Sequence, residues 1–78
     1  MPILPQEIRA HLMESNPEFQ RLATEHSRYE VELEQLTQQV YLNAEDLILQ
    51  VELKKRKLRV KDEMERLVAL HQREMVLR

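Results

Sequence analysis

Apolar side chains recur through the middle of the chain with the spacing of a helix. Phe19, Leu22, His26, Tyr29, Leu33, Leu36 and Val40 follow one another at alternating steps of three and four residues. A period of about 3.5 marks a coiled-coil seam, narrower than the face a helix lays on a broad globular core. The pattern breaks at Tyr41-Leu42-Asn43. It resumes in a second stretch whose clearest stripe is Leu53, Val60, Met64 and Leu67.

Proline and asparagine place the boundaries. Pro5 suits the first turn of a short helix over 5–15, where a missing N–H costs nothing, and Ile8 and Leu12 share one face of it. Pro17 disfavours the helical conformation at Asn16, so that helix stops there. Asn16 then caps a first arm over 17–41, with Pro17 at its first position and Glu18 beside the positive end of the dipole. Asn43, followed by Glu45 and Asp46, reads as the cap of a second arm over 44–76. The expected fold is all-α and one domain over 1–78: an antiparallel two-helix coiled-coil hairpin with a short N-terminal helix.

The two arms register against each other. If the chain reverses near residue 42, Leu33 meets Leu53, Leu22 meets Met64, and Phe19 meets Leu67. At 1.5 Å per residue the arms are about 37 Å and 50 Å long, so the Leu70–Leu77 end overhangs. Either the 5–15 helix folds back on it or a second chain does. A further stripe, Leu47, Ile48, Val51 and Leu58, lies off the hairpin seam. A monomer leaves it wet, which points to a homo-oligomer. A chain this small draws only ~3–5 kcal/mol from a single core, which points the same way.

Composition narrows the chemistry. The chain has no glycine and no cysteine. That excludes phosphate-cradling loops, nucleophile elbows, disulfides, thiolate metal sites and thiol nucleophiles. Net charge is −2, but residues 1–39 hold three bases and seven acids while residues 40–78 hold nine bases and seven acids. The run from Lys54 to Lys61 contains six positive charges. The hairpin register sets it opposite Glu25, Glu30, Glu32 and Glu34, where ion pairs fix arm orientation. Lys54, Lys55 and Arg59 are the candidates to face a charged partner instead, nucleic-acid phosphate being the alternative.

His26 sits on the seam, where a polar residue fixes register and partner choice, and Glu30 stands one turn on. His11 and His71 approach each other if the 5–15 helix folds back. Two histidines without a carboxylate or thiolate at set spacing do not make a zinc site, so no metal and no cofactor is expected. Few hydroxyls and no concave pocket leave catalysis nothing to build on, and neither an enzyme nor a small-molecule substrate is expected. The N-terminal apolar residues Ile3, Leu4, Ile8, Leu12 and Met13 carry the wrong charge balance for anionic lipid, so no membrane role is expected. No secretory signal or membrane span is evident, and a cytoplasmic protein is the expectation.

Two segments, taken together, resemble a known family. They are Asn16-Pro17-x-Phe19-x-x-Leu22-x-x-Glu25-His26 and Leu53-Lys54-Lys55-x-Lys57-Leu58-x-x-Lys61-Asp62-Glu63-Met64. They are similar to the YdcH-like family of short bacterial proteins, related in style to the small SlyX-type coiled-coil proteins. The resemblance extends over about residues 5–70, with mild departures at Ala23 and Val60. It implies a small, helical, bacterial cytoplasmic protein and brings no activity, ligand or catalytic residue with it. The functional expectation is therefore a non-catalytic, self-associating structural or adaptor module, open to a helical protein partner. The alternative is a nucleic-acid-associated protein using Lys54–Lys61.

Overall fold

The computed structural model describes the backbone of residues 4–77 and the side chains as far as Glu74. Expectations attached to Ile3 and to the Leu77 side chain fall outside these residues. Three helices follow in order: α1 (Pro5–Ser15), α2 (Pro17–Thr37) and α3 (Ala44–Leu77). The described residues are helical apart from the short connections, and none is in a strand.

One residue separates α1 from α2. Asn16 is extended, at φ −113° and ψ 108°, as a residue before proline must be. Its N–H donates to the Leu12 carbonyl at 2.8 Å, and its Oδ1 accepts from the Phe19 N–H at 3.0 Å. The same residue thus closes one helix with its backbone N–H and opens the next with its side chain, a cap worth about 1 kcal/mol. At the start of α3, Asn43 Oδ1 accepts from the Asp46 N–H at 2.8 Å while Asp46 Oδ2 accepts from the Asn43 N–H at 3.2 Å. This reciprocal box satisfies two backbone donors at once.

α2 lies antiparallel along α3, and α1 folds back to touch both. Ile8 and Leu12 of α1, Phe19 of α2 and Val68 of α3 form the main buried cluster, with Met64 and Leu67 packed against it. Phe19 and Ile8 are each only 1% exposed. Further along the hairpin, Leu22, Leu36, Leu53 and Val60 are buried. An ion pair between Arg9 and Glu65 ties the rim of α1 to α3. α1 therefore packs on its own chain as far as His71, at the start of the overhang, while Leu70 stays exposed. The result is a rod of 53 × 19 × 18 Å.

The first arm is shorter than its heptads suggest. α2 ends at Thr37, not at 41, and Val40 leaves the seam entirely, at 104% exposure. Tyr41 is exposed beside it. The physical reason is the turn. The Asn43–Asp46 box fixes where α3 begins, so the chain must cross from one arm to the other before it, within residues 38–43. The last turn of α2 tightens accordingly, the Gln38 N–H reaching the carbonyls of both Glu34 and Leu36. Periodicity continues to count residues after the helix that gave it meaning has stopped.

Candidate interaction surface on the long helix

α3 buries one side, through Leu53, Val60 and Val68, and presents the other to solvent. At 3.6 residues per turn, Leu47, Val51 and Leu58 fall within about 40° of one another on that outer side. They and Ile48 remain 49%, 52%, 58% and 63% exposed respectively. Leu47, Ile48 and Val51, with Glu52 and Lys55, line an open groove of about 370 Å³. Beyond it the surface turns polar, where Glu52, Lys55, Arg56 and Arg59 line a second hollow.

The basic run does not face the acidic arm as the register suggests. Lys57 alone crosses, its Nζ 3.3 Å from Glu30 Oε1. Arg56 turns to Glu52 of its own helix at 3.7 Å, and Glu32 is taken by Arg28 at 3.9 Å. Lys54, Lys55, Arg59 and Lys61 are exposed and make no ion pair among the described residues. Consecutive residues on a helix step through 100° each, so a continuous run points all round it. Only the position between Leu53 and Val60 looks across the hairpin. Exposed pairs of this kind contribute roughly 0.2–1 kcal/mol, too little to explain a run of six charges.

The remaining seam positions divide by burial. Leu22, Leu36, Leu53 and Val60 are buried with Phe19, while His26, Tyr29, Leu33, Met64 and Leu67 are half-buried. His26 Nδ1 lies 3.6 Å from Glu30 Oε1, the oxygen that Lys57 also approaches. One carboxylate thus links a seam imidazole to the facing arm. The Arg28 guanidinium rests 5.3 Å from the centre of the Tyr29 ring. Val68 belongs to the core although the stripe read from sequence omits it; its position one turn beyond Met64 was the available signal.

His11 and His71 meet across α1 and α3, their rings stacked with centroids 5.2 Å apart at an interplanar angle of 28°. His71 Nε2 is buried without a hydrogen-bond partner among the described residues. No group of three or more metal-ligating side chains forms among the described residues. An unpaired buried nitrogen costs about 1–3 kcal/mol. His71→Leu, which keeps the volume and removes the unpaired atom, is expected to raise stability by about 1 kcal/mol in a urea melt; a loss of similar size would show that the ring stack is the stabilising element.

Three helices, with the second and third paired lengthwise and an apolar stripe left on the outside, define a class of small all-helical hairpin proteins. Among the described residues, no helix is long and apolar enough to cross a membrane. Residues 19–68 match the family described as "Protein of unknown function (DUF465)", and the chain belongs to that family. It is the family that includes the YdcH-like proteins, to which the Asn-Pro-x-Phe and Leu-Lys-Lys segments point. The match runs from Phe19 to Val68, from one core residue of the hairpin to another, and leaves α1 outside it. No curated protein and no solved structure is a significant match.

Proposed function

We propose that this chain is a non-catalytic interaction module that associates with itself through the outer face of α3, with coiled-coil-like packing between helices. The observation that carries this reading is the exposure of Leu47, Ile48, Val51 and Leu58 after α1 and α2 have both packed. Contiguous apolar surface on a helix that already has its core is characteristic of an interface. The cysteine-free composition fits a reducing, cytoplasmic setting. The experiment is light scattering on the double variant Leu47→Glu/Val51→Glu. It is expected to halve the apparent mass at tens of micromolar, with helicity unchanged because both side chains are exposed and neither belongs to the buried cluster. Equal masses for variant and unmodified chain contradict the reading.

A second reading is supported by the four unpaired bases Lys54, Lys55, Arg59 and Lys61, which offer phosphate contacts. Because none of them pairs with α2, Lys54→Glu/Lys55→Glu/Arg59→Glu is expected to keep its full helicity by circular dichroism. Under this reading the same variant loses salt-sensitive binding in a gel shift. Absence of any shift by the unmodified chain at ~50 mM salt removes nucleic acid from consideration.

A further inference from the structure

We infer that the occupant of the outer α3 face is a second copy of this chain lying antiparallel to the first, its acidic segment against the other's basic segment. This rests on the self-association proposed above and adds its geometry. The charge along α3 is sharply divided. Residues 44–53 contain Glu45, Asp46 and Glu52 and no base, whereas residues 54–61 contain six bases and no acid. The division falls inside the apolar stripe, with Leu47, Ile48 and Val51 on the acidic side and Leu58 on the basic side. Only one base of the run, Lys57, is engaged by the facing arm. Arg56 pairs with Glu52 of its own helix, and Lys55 lines the apolar groove with Leu47, Ile48 and Val51.

A parallel second copy sets six bases beside six bases, and like charges directly opposed destabilise a helical pair. An antiparallel copy, with its two-fold axis at the level of Leu53, sets Ile48 at the level of Leu58 of the second copy and the acidic segment 45–52 at the level of its basic segment 54–61. Glu52 and Lys55 line the groove on the same flank as Ile48, so Glu52 of one copy comes beside Lys55 of the other, and the symmetry repeats the contact. A two-fold interface is self-complementary by construction. Here one helix supplies both signs of charge in the order that symmetry requires. α1 leaves this face clear, since it docks further along, around Val68 and His71.

The natural absence of cysteine makes a disulfide test specific. Ile48→Cys and Leu58→Cys variants are prepared separately, their helicity checked, and oxidised either alone or after mixing. An antiparallel pair brings residue 48 of one copy to residue 58 of the other. It leaves identical positions about 15 Å apart along the axis, beyond the ~7 Å that a disulfide spans between Cα atoms. Mixed oxidation is expected to give at least ten-fold more cross-linked dimer than either variant alone. Cross-linking of Ile48→Cys with itself, or a doubled mass with no mixed cross-link, overturns the antiparallel arrangement and leaves self-association standing. A monomer without cross-links under every condition overturns both.

Discussion

Phe19→Ala is expected to cost about 3–5 kcal/mol, the usual loss for removing a fully buried aromatic ring. Phe19 is buried where all three helices meet, among Ile8, Leu12 and Val68 with Met64 and Leu67 around them. Among the described residues it is the one aromatic ring that is buried. A domain of this size holds roughly 0.05–0.15 kcal/mol per residue, so the loss takes a large share of the total. Urea unfolding followed by circular dichroism measures it, with Val31→Ala as the comparison. Val31 is exposed on α2, and its truncation is expected to fall within about 0.5 kcal/mol of zero. Similar costs for the two variants would mean that the three-helix junction is not the core.

Ile8→Ala/Leu12→Ala is expected to detach α1. Each buried aliphatic truncated to alanine costs about 2–5 kcal/mol, and these two are the buried residues of α1. A helix of 11 residues is too short to persist in water without packing. The Arg9–Glu65 pair is exposed on both sides and contributes too little to hold it. Backbone amides over 5–15 should therefore exchange freely with solvent, while those between Leu53 and Val60 keep their protection. Loss of protection along the whole of α3 would show instead that α1 is needed for the hairpin to fold.

The helix boundaries were legible where a single residue carries a local physical constraint. Pro5, the Asn16-Pro17 break and Asn43 act through their own backbone geometry and side-chain oxygens, and no tertiary contact overrides them. The end of α2 had no such marker. Val40 continues the heptad, and only the need to cross between arms before the Asn43 cap removes it from the seam. Charge was less legible than apolarity for a related reason. An apolar stripe selects one face, but six bases in a row occupy every face, so their direction depends on the neighbours each one finds. The His11–His71 approach follows from unequal arm lengths, although sequence alone left open whether α1 returns to its own chain or to another. The outer stripe of Leu47, Ile48, Val51 and Leu58 was visible from the start, because it falls on a different side of the helix from Leu53 and Val60. A partner is harder to read than a fold here, since a helix face states the shape and charge of what it meets but no reaction.

Whether that outer face is covered in solution is tested directly by sedimentation equilibrium of the unmodified chain. Across a concentration series reaching tens of micromolar, the weight-average mass is expected to rise from that of one 9.5 kDa chain toward twice that value. A mass that stays at 9.5 kDa throughout, with the chain fully helical, would contradict self-association.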